Sequence, residues 1–278
     1  MPQGHHCAGP ADAAARAREP SVTRSKRLQA GWRRALALAA LVALAATTHP
    51  AGAAPAPQEQ CGPASLAADW PQRDLLPQAL LPVARWYQRA WNSGWGPLAA
   101  TYPPTVPPGG CDPVAWERAR VVAVARRYLG LAYRHHHVPA WDPPAALVGP
   151  AGAGPGLDCS NFTSWVYNYA LGIRFTSNVQ QQADGPLAPG RVLAPDEPFA
   201  PGDLLFILPE DRAEVSHVVI YLDDNTVIDS HGAYGGVTEH PRGGWYLTHF
   251  SHARRIVEQG NTIVGAELDE QPGKIPAG

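Results

Sequence analysis

Charge, cysteine and long apolar runs are all scarce in this sequence of 278 residues, which has 17% charged residues and four cysteines. The apolar run at 35–46 is too short to span a bilayer, and no second apolar segment is long enough to do so. We therefore expect no integral membrane span. No internal repeat is visible in the rest of the chain.

The N-terminal stretch has the order of segments that is typical of a secretory signal peptide. Basic residues come first (Lys26, Arg27, Arg33 and Arg34), the apolar run at 35–46 follows, and Ala51 and Ala53 supply an A-x-A arrangement. This order predicts export, with cleavage near Ala53 and removal of residues 1–53. The residues before Ser21 are interpreted as an over-long start.

Export changes the charge of the chain. The full sequence has 22 basic and 24 acidic residues, and the signal segment removes seven and two of them, which leaves a mature net charge of about −7. A negative surface argues against nucleic acid or an anionic membrane as a partner. We expect a protein of the periplasm or the extracellular space.

The cysteines divide into two kinds of context. Cys7 leaves with the signal segment, whereas Cys61 and Cys111 lie in a Pro- and Trp-rich stretch that has little core of its own. We expect those two to form a disulfide in an oxidising compartment. Cys159, which lies at the start of a predicted helix, is then the only free thiol of the mature protein.

The mature chain is expected to contain three parts. Residues 54–111 form an irregular N-terminal segment with one short helix around 83–91, whose aromatic residues pack on the main domain or stack on a glycan. Residues 112–260 form the main domain, and 261–278 a flexible tail.

Helices come first in the main domain and strands come later. Asp112 and Gly130 bound the first predicted helix, and a second one begins at Cys159 and ends near Gly172. The segments "PGDLLFIL", "SHVVIYLDDNTVIDSHG" and "THFSHARRIV" predict a strand, a β-hairpin and a last strand. This order favours an α+β fold with an antiparallel sheet.

Three interpretations of Cys159 are open from spacing alone: a small buried residue, half of a disulfide, or a nucleophile. The N–H groups of a helix N-terminus lower a thiol pKa, and a nearby imidazole completes the activation. His217 begins a predicted strand and is the best candidate for that imidazole. On the strand that returns, Asp229 or His231 can orient the imidazole ring.

Several motifs together resemble the NlpC-type cell-wall peptidase family of papain-like cysteine peptidases. They are "LDCSNFTSWVYNYALGI", "SNVQQQ", "APGDLLFI", "SHVVIYLDDNTVI" and "ARRIV", in the order that the family shows. The resemblance implies a papain-like fold with Cys159 as nucleophile and His217 as general base. It implies that Tyr133 lines the substrate cleft, and it assigns Asp158 and Ser160, which flank the cysteine, to substrate binding.

The activity that the resemblance implies is cleavage of an amide bond in peptidoglycan stem peptides or crosslinks, without a metal or an organic cofactor. Alternatives on the same fold are acyl transfer to a lipid or amine, and a wall-binding protein without activity. The family's third residue is commonly a histidine twelve positions after the base. The spacing therefore favours Asp229 as the third residue, whereas the residue type favours His231. We favour His231 and retain both as candidates.

Some positions depart from the family pattern. Asn161 stands where a glycine is usual, and the loop at 138–156 is longer than usual. The run His135, His136 and His137 invites a zinc interpretation, but three consecutive rings do not easily face one ion. A role in lining the cleft or a solvated position is expected for the run instead.

Overall fold

The computed structural model describes residues 60–88 and 95–259, all within one compact unit. The predicted signal peptide at 1–53 and the predicted tail at 261–278 lie outside the described residues, so both stay predictions. In the part of the chain that is described, no helix has the length and apolarity that crossing a membrane requires.

Two short helices, α1 (Pro63–Leu66) and α2 (Trp70–Arg73), precede the main domain. The predicted helix around 83–91 is a 3-10 turn at Val83–Arg85 in the described residues, and Trp91 lies outside them. Trp86 is buried in the core, as expected for an aromatic residue that packs on the main domain, whereas Tyr87 is exposed.

Helix α3 (Pro113–Arg127) begins as predicted, because the Asp112 side chain accepts a hydrogen bond from the backbone N–H of Ala115. Short helix α4 (Ala145–Val148) lies in the following loop. Helix α5 (Cys159–Leu171) is buried along almost its whole length and ends at Gly172, whose φ of 73° lies in the left-handed region that glycine tolerates. Helix α6 (Val179–Asp184) follows, and the sequence analysis did not predict it.

Six strands form one antiparallel sheet in the order β1-β6-β2-β3-β4-β5. Their bounds are Arg191–Val192, Leu204–Ile207, His217–Asp223, Thr226–His231, Gly236–Pro241 and Phe250–Arg255, from β1 to β6. The predicted strand, hairpin and last strand are β2, β3–β4 and β6. The sequence reasoning missed β1 and β5. Short helix α7 (Trp245–Thr248) connects β5 to β6.

The two faces of the sheet carry separate apolar clusters. Helix α5 packs on one face, with α3 against α5, and Val218, Ile220 and Ile228 join the larger cluster there. Val219, Tyr221, Val227 and Tyr246 belong to the smaller cluster on the other face. Helices packed against an antiparallel sheet confirm the predicted α+β class.

Candidate active site

Cys159 is the first residue of α5, and the residue before it caps the helix. One carboxylate oxygen of Asp158 accepts hydrogen bonds from the backbone N and from Nδ2 of Asn161, each at 2.9 Å. The other oxygen lies 2.9 Å from Nδ1 of His135. Asp158 is therefore a capping residue that satisfies a free N–H of the first turn.

Polar side chains bring the start of α5 and the start of β3 to the same end of the sheet. Ser230 Oγ donates to the carbonyl of Leu157 at 2.6 Å, and Gln182 Nε2 donates to the carbonyl of Ser160 at 2.8 Å. Gln180 Nε2 donates to the carbonyl of Val215 at 3.1 Å. Helix α6 thus contacts both the turn after Cys159 and the segment before His217.

The cysteines can be compared with the prediction. Cys61 is bonded to Cys111, the pair expected from the sequence. In the full chain no described cysteine is free, and Cys159 is disulfide-bonded as well. The expectation of a single free thiol concerns the mature chain after removal of residues 1–53, and it stays a prediction. Cys159 is also fully buried in this form.

A buried, hydrogen-bonded pair of side chains lies on β3 and β4. His217 Nε2 is 2.5 Å from Asp229 Oδ2, and both side chains are almost completely excluded from solvent. Tyr246 donates its hydroxyl to the same oxygen at 2.9 Å. His240 Nε2 lies 3.2 Å from the other oxygen, Oδ1. Burial by itself raises the pKa of the Asp229 carboxyl, but the hydrogen bond of His217 and the close contact of His240 hold it well below its usual range.

His231 touches His217 through its ring instead of through a hydrogen bond. The two ring centroids are 4.7 Å apart in an edge-to-face arrangement, and His231 Nδ1 accepts the backbone N–H of Ala233. Burial and the neighbouring His217 lower the pKa of His231 to about 4, so its ring is neutral at pH 7. Asp229, at the family spacing, therefore makes the hydrogen-bond contact with His217, and His231 lies against the side of the ring.

The residues that the resemblance assigned to the substrate cleft lie around the start of α5. The Tyr133 ring is half-buried, 5.3 Å from the His135 ring, and its backbone forms a bridge with Leu157. Burial, and to a lesser degree the charge of Asp158, raises the pKa of Tyr133. Ser160 is buried.

The three consecutive histidines contact three different partners. His135 binds Asp158, His136 Nε2 lies 3.0 Å from the carbonyl of Gly152, and His137 Nδ1 lies 3.3 Å from that of Gly96. Within residues 60–88 and 95–259, no group of three or more His, Cys, Asp and Glu side chains has an arrangement that could hold a metal ion.

Sequence reasoning missed several residues of the site: Gln180, Gln182, His240, Trp245 and Tyr246. Trp245 is half-buried, with its ring 5.8 Å from the rings of both His217 and His231. His240 lies on β5 and Tyr246 on α7, two elements that were not predicted, so no signal pointed to them. The motif "SNVQQQ" is too short to show a periodicity, so it does not indicate which glutamine is buried.

Comparison with known proteins supports the family resemblance. Residues 147–255 match the model of the NlpC/P60 family, which confirms the resemblance that the motifs indicated. This match covers less than half of the chain. A search of the curated proteins gives no match.

Solved structures of the same family are similar to part of the chain. A NlpC/P60 family protein from Bacillus cereus has 23% identity and a TM-score of 0.40 over 51% of this chain and 40% of its own. The peptidoglycan hydrolase RipB from Mycobacterium tuberculosis has 22% identity and a TM-score of 0.39 over 52% of this chain and 67% of its own. The P60 domain of an antigen from M. avium subspecies paratuberculosis has 22% identity and a TM-score of 0.39, over 52% and 98%.

Proposed function

We propose that this chain is an exported cysteine hydrolase that cleaves an amide bond in the peptide part of bacterial peptidoglycan, in the periplasm or outside the cell. The observation that carries the proposal is the buried pair of His217 Nε2 and Asp229 Oδ2 at 2.5 Å, at the end of the sheet where α5 begins with Cys159. The match to the NlpC/P60 family over residues 147–255 supports the substrate class.

Asp229 serves as the third residue in this proposal. By binding Nε2 of His217, the carboxylate leaves Nδ1 for the thiol and stabilises the imidazolium form. The His217 and Asp229 side chains lie on the sheet face opposite α5, as alternation along a strand requires. Cys159 and His217 are both first residues of their elements, so the proposal requires the thiol to meet the ring at this end of the sheet.

The reaction proceeds in two steps. The Cys159 thiolate attacks the carbonyl carbon, and the backbone N–H of Cys159 contributes to stabilising the oxyanion at the start of the helix. The C–N bond breaks as His217 gives its proton to the leaving amine, and the acyl group stays on Cys159 as a thioester. His217 then takes a proton from water and the resulting hydroxide attacks the thioester carbonyl. The C–S bond breaks, which releases the acid product and restores the thiolate beside the protonated His217.

The nucleophile in this proposal is the reduced thiol. Cys159 is disulfide-bonded and fully buried in the full-length chain, so activity requires release of the thiol and exposure of the sulfur to substrate. We therefore expect the oxidised full-length chain to be inactive and a mild reductant to activate it, whereas the mature chain without residues 1–53 should be active without that treatment.

The test is incubation of the reduced protein with purified muropeptides and identification of the products by mass. We expect new amine and acid ends from the wild type and none from Cys159→Ser, which keeps the size and the helix position of the side chain. Equal product from both proteins, or none from the reduced wild type on any muropeptide, would contradict the proposal.

A further inference from the structure

A second histidine lies on the far side of the carboxylate that binds His217. Asp229 Oδ2 contacts His217 and Tyr246, whereas Oδ1 faces Nε2 of His240 at 3.2 Å. The His240 side chain is only 10% exposed, so water screens this contact weakly. Strands β4 and β5 fix the geometry, because the register pairs Asp229 with Thr238 and Val227 with His240.

The hydrogen bond of His240 Nε2 is shared with a neighbour. Thr238 Oγ1 lies 2.6 Å from Nε2, and among the described residues no hydrogen bond reaches the buried Oδ1 of Asp229. Two arrangements of protons fit these distances. Either the Thr238 hydroxyl donates to Nε2, or Nε2 carries a proton that points towards both Thr238 Oγ1 and Asp229 Oδ1.

The two arrangements have opposite effects on the catalytic pair. When Nε2 accepts a hydrogen bond from Thr238, it has no proton to offer Asp229. Only His217 and Tyr246 then stabilise the carboxylate. When Nε2 carries a proton, His240 shares the negative charge and weakens the hold of Asp229 on the His217 imidazolium.

We propose that His240 is a positioning residue that sets how much of the Asp229 charge is available to His217, with Thr238 as the competitor for its Nε2. This role rests on the function proposed above, since it acts on the assigned general base. The pairing of β5 with β4 places His240 next to Asp229 for this role.

The titratable groups that face His240 come from three other elements. Asp229 and His231 lie on β4, Tyr246 on α7 with its ring 5.7 Å away, and the Tyr234 ring lies 4.1 Å away in the 3-10 turn Gly232–Tyr234. His217 on β3 is reached through Asp229. Burial and Asp229 raise the pKa of Tyr246, so it remains a neutral donor. Asp229 is therefore the only carboxylate among the groups named here.

The test measures the pKa of the His217 imidazole by NMR in the full-length chain with labelled histidines, for the wild type, His240→Leu and Thr238→Val. Removing His240 leaves the charge of Asp229 to His217, so we expect that pKa to rise by about one unit. Removing the Thr238 hydroxyl leaves Asp229 as the only partner named here for the Nε2 proton of His240, so we expect the His217 pKa to fall. A merely structural role gives no such opposite shifts.

Shifts of the same sign, or none in either variant, would overturn the role of His240. If His240→Leu does not fold, His240→Phe takes its place, since it keeps an aromatic ring at this position without a donor to Asp229; a rise is again expected. The titration needs neither substrate nor a free thiol. Muropeptide cleavage by the reduced wild type is measured separately, so loss of the proposed function and loss of the His240 role give different results.

Discussion

The two halves of the candidate site are held by different kinds of contact. On the nucleophile half, side chains bind the backbone: Asp158 caps α5, Gln182 binds the carbonyl of Ser160, and Ser230 binds that of Leu157. On the base half, side chains bind one another, as Asp229 contacts His217 and Tyr246 within hydrogen-bond distance. The contacts of the nucleophile half fix the position of the backbone around Cys159, and those of the base half fix the position of the Asp229 carboxylate next to His217.

This difference predicts different costs when a partner is removed. A neutral hydrogen bond contributes about 0.5–1.5 kcal/mol net, and a buried charged pair costs about 3–5 kcal/mol when one partner is lost. Changes on the base half should therefore alter proton transfer strongly, whereas changes on the nucleophile half should mainly alter stability. The exception on the nucleophile half is the Cys159 sulfur, whose loss should abolish the reaction.

The largest effect is expected for the two reacting residues. Cys159→Ser and His217→Ala should each reduce muropeptide cleavage by the reduced protein by at least about 10³-fold, because serine has no accessible anion near neutral pH and alanine cannot transfer the proton. Product formation measured by mass at several protein concentrations tests this. Circular dichroism checks that Cys159→Ser is still folded, and a serine variant with near wild-type turnover would refute the nucleophile.

The next effect separates the two candidates for the third residue. Asp229→Asn should reduce turnover by about 10²-fold or more, because it removes the charge that stabilises the His217 imidazolium. His231→Phe should cost less than about tenfold, since a ring is kept beside His217 and no hydrogen bond to it is lost. Turnover rates of the two variants, measured at one pH, decide between them. The reverse ranking would return the role to His231.

Local pattern predicted the nucleophile half much better than the base half. Asp112, Cys159 and Gly172 mark helix ends by chemistry that acts within a few residues, and the structure has those ends. The site around His217 depends instead on which strands pair and in what register. Because β5 and α7 were not predicted, His240 and Tyr246 could not be found.

Redox state was also beyond the sequence. An odd number of cysteines after export suggested a free Cys159, but that argument counts residues and does not follow the path of the chain. In the full chain Cys159 is disulfide-bonded, and the expectation for the mature chain stays a prediction. A long-range contact of this kind has no local signal.

A smaller effect is expected for the glutamine that holds the nucleophile half. Gln182 is fully buried, and its amide binds the carbonyls of Ser160 and Thr176 and the hydroxyl of Thr163. Gln182→Leu should lower the free energy of unfolding by about 1–3 kcal/mol, because it leaves buried groups without partners. Turnover should fall by less than about tenfold.

The neighbouring Gln181 is exposed, so Gln181→Leu is the matched control and should leave stability within about 0.5 kcal/mol of the wild type. Urea unfolding measures both variants. If Gln182→Leu is as stable as the control but loses most of its turnover, it is wrong that changes on the nucleophile half mainly alter stability.

The smallest expected effect lies outside the reaction and concerns acid. His136 is fully buried with its ring against Trp141, and burial lowers its pKa to about 4. In the unfolded chain its pKa is near 6.5, so the unfolded state takes up a proton first as the pH falls. The stability that the neutral ring gives is therefore complete above about pH 6.5 and is lost progressively between that pH and about 4.

His136→Phe keeps an aromatic ring but cannot titrate, so its free energy of unfolding should depend less steeply on pH in this window, by up to about 1.4 kcal/mol per pH unit for one proton. Urea unfolding at several pH values measures the slope, and His137→Phe, at a half-buried neighbour in the same run, should keep the wild-type slope. Equal slopes for His136→Phe and the wild type would mean that the buried ring is not neutral in the folded protein.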